Sequence, residues 1–149
     1  MSDKELSRLV SSGRLERVGY CTYRVRHHVP TRLDQFDVAA AVVGDGAFVY
    51  GPSVLALLGL APADPRRVHV ATTRRVRHRL PPFVVLHRVG GSDTTTSYEG
   101  IPVQEITGAL LASKGLMMDE RIADATREAL RRGLVFEEEL EAIGLDGGV

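Results

Sequence analysis

The spacing of apolar positions changes period several times along the chain, and each change marks an element. Leu6, Leu9 and Val10 fall at i, i+3 and i+4, which predicts a short helix with one apolar face. Ser2 and Glu5 have the spacing of a capping box at its start, and Gly13 sits where a left-handed cap stops a helix. Two β segments follow, Arg14 to Val18 and Thr22 to Arg26, with Gly19-Tyr20 as the turn. Past Pro30 the helical period returns, and Leu33, Phe36, Val38 and the run Ala39 to Val43 end at Gly44. Phe48 to Tyr50 reads as a short buried strand. Pro52 then opens a helix at the position where its missing N–H costs nothing, and Gly59 closes it.

The pattern next turns to β. Val68 and Val70 flank His69 with strand alternation, and Phe83 to Val89 is a longer strand after Pro81-Pro82. Thr94 to Tyr98 and Ile101 to Gln104 predict a hairpin around Glu99-Gly100. The last third is helical: Ile106 to Ser113, Glu120 to Arg132 and Phe136 to Ile143, with stops at Gly115, Gly133 and Gly144. Asp119 is the expected cap of the second of these helices, and Arg131 and Arg132 are expected to complement its negative end. The tail from Asp146 to Val149 reads as disordered, and there is no internal repeat. Helix, Gly stop, then basic hairpin is the second half of a winged helix-turn-helix. The whole predicts an α+β fold: a truncated winged helix over residues 1–30, then a mixed domain with a small β-sheet and carboxy-terminal helices over residues 31–149.

Composition adds boundaries. A chain of 149 residues with 44% hydrophobic side chains has enough apolar material for a packed core, and no apolar run approaches a membrane span. The amino terminus lacks the apolar centre of a signal peptide, and Cys21 is the only cysteine, so a reducing cytoplasm is the expected compartment. Few aromatics and no tryptophan argue against a stacking platform for single-stranded nucleic acid. The net charge of zero conceals a split: residues 1–90 carry 14 Lys+Arg against 7 Asp+Glu, and residues 91–149 carry 5 against 12. Two surfaces of opposite potential would explain it; so would two halves that fold together and compensate.

The basic half holds the candidate chemistry. On a helical wheel Lys4, Arg8 and Ser11 lie opposite the stripe of Leu6, Leu9 and Val10, where a recognition helix meets the major groove. An ordinary amphipathic surface helix has the same arrangement. Arg14, Arg17, Arg24 and Arg26 fall on the hairpin, in the place of a wing along the DNA backbone. Residues 66–88 hold seven arginines and no acid, which reads equally as a phosphate-binding patch or as a solvated loop between strands, a loop that could also pair with the acidic carboxy-terminal helices.

Catalytic and metal signals are weak by comparison. Histidines 69, 78 and 87 are spaced by nine and could converge on strands, but no Asp, Glu or Cys nearby in sequence completes a ligand set, so coincidence is the expectation as far as a metal is concerned. Ser53 lacks a nucleophile-elbow pattern, Glu137 to Glu139 is a favourable first helical turn, and Cys21 has no catalytic partner in sequence. No phosphate-cradling glycine loop is present. The expectation is a non-enzyme with no catalytic residues, no metal and no cofactor.

A family resemblance sharpens this. Leu9 to Gly19, followed by Tyr23-Arg24-Val25, looks like the end of the winged helix in AbiEi-type antitoxins. Tyr50 to Leu60 is similar to the helix that follows in their second domain, and Val68 to Thr72, Leu86-His87-Arg88 and Glu99 to Val103 keep that family's order. The resemblance runs from about Leu6 to Leu140 and is carried by order and spacing rather than by any one piece. It implies a cytoplasmic antitoxin of a type IV toxin–antitoxin system that binds operator DNA, represses its own operon and counters a nucleotidyltransferase-like toxin. Carried onto this chain, it puts DNA contacts at Lys4, Ser7, Arg8 and Ser11, with Arg14, Arg17 and Arg24 at the wing, and residues 31–149 as the antitoxin domain. The chain starts almost at the recognition helix, so its apolar stripe is expected to be covered by the second domain, by a second copy in a homo-oligomer, or by the toxin. Tyr20-Cys21-Thr22 also stands where the family has a Gly-rich turn. Two other readings remain: a protein-binding module with a vestigial winged helix, and an RNA-binding regulator using the arginines at 66–88.

Overall fold

A computed structural model of the chain describes residues 31–145 and, ahead of them, the strands β1 (Leu15–Gly19) and β2 (Thr22–Val25). The expected first helix, with Lys4, Ser7, Arg8 and Ser11, lies outside the described residues, as do Arg14, Arg26 and the tail from residue 146. β1 and β2 pair antiparallel, as the hairpin pattern predicts, with an irregularity between Arg17 and Gly19.

The rest is a mixed α+β body. After the hairpin come α1 (Asp34–Val43), β3 (Phe48–Val49), α2 (Pro52–Leu57), β4 (Val68–Thr72), β5 (Val84–Arg88), β6 (Thr95–Tyr98), β7 (Ile101–Gln104), α3 (Ile106–Ala112), α4 (Asp119–Arg131) and α5 (Glu137–Ala142). Strands β3 to β7 form one sheet in the order β5-β4-β3-β7-β6. β3, only two residues long, runs antiparallel to β4 and parallel to β7; β4 and β5 are parallel, and β6 and β7 form a hairpin. That hairpin turns on Glu99 (φ 51°) and Gly100 (φ 80°), the two consecutive positive φ values of the tight turn whose twist matches its strands.

Strand alternation explains which side the helices cover. Val49, Val68, Val70, Ile101 and Val103 share one parity and are buried in the same cluster as Phe36, Ala39 and Val43 of α1. Those three α1 residues fall at i, i+3 and i+7, one stripe of a helix. Val54, Leu55 and Leu57 of α2, Leu110 of α3, Ile122 and Ala125 of α4 and Leu140 of α5 complete the core.

Two polar devices fix the helices. Gln104, 2% exposed, accepts the Gly51 N–H through Oε1 (3.0 Å) and donates from Nε2 to Asp93 Oδ1 (2.9 Å). Gly108 of α3 passes so close that a Cβ there would lie 3.1 Å from Gln104 Nε2. At the far end of α2, Arg132 donates to the carbonyls of Leu58 (2.8 Å) and Gly59 (3.1 Å), and Arg32 donates to that of Leu57 (3.0 Å). Two cations thus occupy the carbonyls at the negative end of α2. The expectation that Arg132 serves the end of its own helix is corrected in this respect: its guanidinium reaches the carbonyls that follow α2, because α4 ends beside them.

The expected cap Asp119 is also corrected. Met118 holds the extended N-cap position with no side-chain cap bond, and Asp119 is the first helical residue, where its charge still suits the helix dipole. At α5 the Phe136 N–H donates to Glu139 Oε1 (3.0 Å), the half of a capping box that a phenylalanine permits.

Gln104→Leu should leave the Gly51 N–H buried without an acceptor and the Asp93 carboxylate without its donor. The expected loss is about 1–3 kcal/mol in unfolding free energy, read by urea denaturation; an unchanged midpoint would show that the amide bridge contributes little.

Candidate nucleic-acid interface

The basic segment is built on the β4–β5 side of the sheet. The connection of residues 73–83 joins two parallel strands without a helix, so it crosses from the carboxyl end of β4 back to the amino end of β5. Along it Val76, His78 and Leu80 are partly buried, while Arg75, Arg77 and Arg79 between them are exposed. Val76 and Leu80 pack against the core, and His78 Nε2 lies 2.6 Å from the Val42 carbonyl near the end of α1. Tucked and outward residues alternate with the period of a strand.

Arg74 follows β4 and Arg88 ends β5 in register with Thr72, so both stand at the same end of the parallel pair. Arg66 and Arg67 precede β4 at the opposite end. The band between the two ends is on the order of 13 Å long, the rise of about four phosphates along one strand of a duplex. All seven arginines are exposed, and none of their guanidinium groups enters an ion pair or hydrogen bond among the described residues.

Two acids of the helical end, Asp124 and Glu128, find their partners within it. Glu128 is bridged by Arg131 (2.5 Å) and Arg132 (2.9 Å), and Asp124 pairs with Arg127, all within one helix and its cap. The hydrogen bond from Arg131, and then that from Arg132, hold the Glu128 carboxyl down at about 2. Among the described residues the arginines of 66–88 form no ion pair with the acidic helices: the acids of α4 that form ion pairs do so with cations three and four residues away, and the segment fits a solvated loop between strands as well as it fits a phosphate-binding patch.

Beside the band, the other parity of the sheet gathers rings. Phe48, Tyr50, His87 and His69 form a column with centroid separations of 6.5, 4.7 and 5.1 Å. His69 Nδ1 and His87 Nε2 are 2.9 Å apart, so one ring donates to the other. Two of the three evenly spaced histidines do converge, since parallel β4 and β5 bring the rings of His69 and His87 to one side; His78 stays apart on the crossing segment. Burial, then the neighbouring His87 and Arg67, lower His69 to about 4, and burial lowers His87. Burial and the nearby Asp93 raise the Tyr50 hydroxyl. No group of three or more His, Cys, Asp or Glu side chains that could hold a metal occurs among the described residues. Ser53 is structural: its Oγ accepts the His69 N–H at 2.7 Å.

Of the residues that the resemblance assigns to DNA, the description reaches Arg17 and Arg24. Arg17 lies across from Tyr23 and Arg24 across from Glu16, positions of opposite parity on the ribbon. For the arginines at 66–88, composition alone marks a patch. Their in–out alternation is carried in sequence by Val76, Leu80 and the arginines between them. No protein-family model matches the chain, and comparison with curated proteins finds no match. No helix among the described residues is long and apolar enough to cross a membrane.

The ring pair has a consequence for pH. In the unfolded chain a histidine takes up a proton below about 6.5, whereas His69 in the fold stays neutral down to about 4. The unfolded state therefore binds more protons across that window, and stability falls as pH drops from about 6.5 towards 4. Urea midpoints between roughly pH 7.5 and 4.5 should show this slope, and His69→Gln should flatten it. An equal slope in the variant would place the sensitivity elsewhere.

Proposed function

We propose that the chain is a cytoplasmic, non-catalytic antitoxin and autoregulator of the type IV kind that it resembles, which binds operator DNA and counters a nucleotidyltransferase-like toxin. In this reading the β1–β2 hairpin serves as the wing of a truncated winged helix. Lys4, Ser7, Arg8 and Ser11 meet the groove, and Arg14, Arg17 and Arg24 follow the backbone. One observation on the described residues carries the nucleic-acid part: seven exposed arginines in a band, with no acid of the fold spent on them. Exposed arginines at this density can meet a polyanion, and a run of phosphates fits a band better than a single ligand does. The antitoxin part is supported by the order of the matching segments.

Binding to duplex DNA from upstream of the gene should weaken steeply as salt rises. Reversing Arg75, Arg77 and Arg79 to Glu should reduce affinity by about tenfold or more and make the salt dependence shallower by roughly one unit of slope for each phosphate no longer neutralised. Lys4→Glu with Arg8→Glu should abolish sequence preference. Operator binding that survives both sets of reversals would end the proposal's DNA half, and tighter binding to a matched single-stranded RNA would move the assignment to RNA.

Co-expression with the product of the adjacent gene tests the other half. Growth inhibited by that product should be restored by the chain, including the form with Lys4 and Arg8 reversed. Absence of rescue by the unaltered chain would remove the antitoxin role.

A further inference from the structure

Between the start of α2, the 61–64 turn and the α3–α4 connection lies a cleft of about 390 Å³. Its walls are mainly apolar: Phe36, Pro52, Ala56, Ala61, Leu116 and Met117. Five polar or charged side chains reach it, namely Ser53, Asp64, Arg67, His69 and Arg121. Three of these are already committed. Ser53 Oγ holds the His69 amide, the His69 ring is bonded to His87, and Asp64 Oδ1 accepts the Arg66 amide at 3.0 Å.

The two that remain are both permanent cations. Arg67 stands just before β4 and Arg121 in the first turn of α4, so the fold brings them to one cleft from distant parts of the sequence. Both are exposed, and neither guanidinium has an ion pair or hydrogen bond among the described residues.

We propose that this cleft binds a small organic anion, with a carboxylate or phosphate head held by Arg67 and Arg121 and an apolar body lying among Phe36, Ala56, Ala61 and Met117. The volume is in the range of small-molecule sites, roughly 300–1,000 Å³. A guanidinium presents a planar fork that matches a carboxylate or phosphate at two points. The two guanidinium groups outweigh the one carboxylate of the lining, Asp64, so a cation is disfavoured, and a wholly apolar ligand would strip water from both arginines without replacing it. The apolar walls suit a compact body rather than a run of phosphates, so this site differs in kind from the band, although Arg67 belongs to both. The inference does not depend on the nucleic-acid reading.

Calorimetric titration of the full chain with adenosine monophosphate, with octanoate and with inorganic phosphate tests it. One of the two organic anions should bind at a single saturable site. Inorganic phosphate, which has a head and no body, should bind about tenfold more weakly or worse. Which organic probe binds tells a nucleotide-like body from an acyl one. Arg121→Gln should weaken binding by about tenfold, and Ala63→Trp, at an exposed position on the cleft wall, should block it. Arg77→Gln, on the band and outside the cleft, should leave it unchanged. Circular dichroism confirms that each variant is folded, and if Ala63→Trp is not, Arg121→Gln alone carries the comparison. The proposal is overturned by the absence of saturable binding of either organic anion, by equal affinity for inorganic phosphate, or by binding indifferent to Arg121→Gln.

Discussion

The buried amide of Gln104 is the joint on which the sheet's centre depends. β3 contributes only two residues between β4 and β7, too few to define by themselves where the chain goes next. Gly51, at φ 52°, turns the chain from that strand into α2, and its amide would be stranded without Gln104 Oε1. The other end of the same amide holds Asp93 ahead of β6. One side chain thus ties the end of β7, the entry to α2 and the approach to the terminal hairpin. A primary amide suits this place because it donates and accepts from one planar group, and a buried polar group is tolerated only when both needs are met. Gly108 belongs to the same arrangement, since α3 comes near enough to crowd the amide.

Charge is distributed by locality. The ion pairs of α4 join acids to arginines three and four residues along, in exposed pairs of a kind worth little to stability, about 0–1 kcal/mol each. Arg32 and Arg132 are the exceptions that reach across the fold, and both terminate α2. The arginines at 66–88 form no ion pair among the described residues; the nearest acid in sequence, Asp64, accepts the Arg66 backbone amide instead. Among the described residues, the ion pairs of the acidic half stay within α4 and its cap, and the arginines of 66–88 are exposed.

Much of the architecture is legible in sequence because it rests on local stereochemistry. Pro52 and the glycines at 44, 59, 115, 133 and 144 bracket the helices where a ring or a positive φ requires them. Glu99-Gly100 marks its hairpin, and the alternation of Val68 and Val70 marks a central strand. What cannot be read is order in space. Nothing local says that β3 pairs parallel with β7, or that β4 lies parallel beside β5, since those pairings are won by burial of residues far apart in sequence. The meeting of His69 with His87 and of Arg67 with Arg121, and the reach of Arg132 to α2, all follow from that order. They are invisible for the same reason. Asp119 is misplaced by a single residue because an acid in the first turn and an acid at the cap leave the same trace in sequence.

The crossing segment between β4 and β5 has a thermodynamic consequence. A flexible loop with the same arginines would surrender its backbone freedom on meeting an anion, at about 1–2 kcal/mol for each residue stilled. Here Val76, His78 and Leu80 are seated already, so that freedom was given up when the protein folded. An arriving anion has only the side-chain torsions of the arginines left to restrict, and attraction is correspondingly less eroded by ordering.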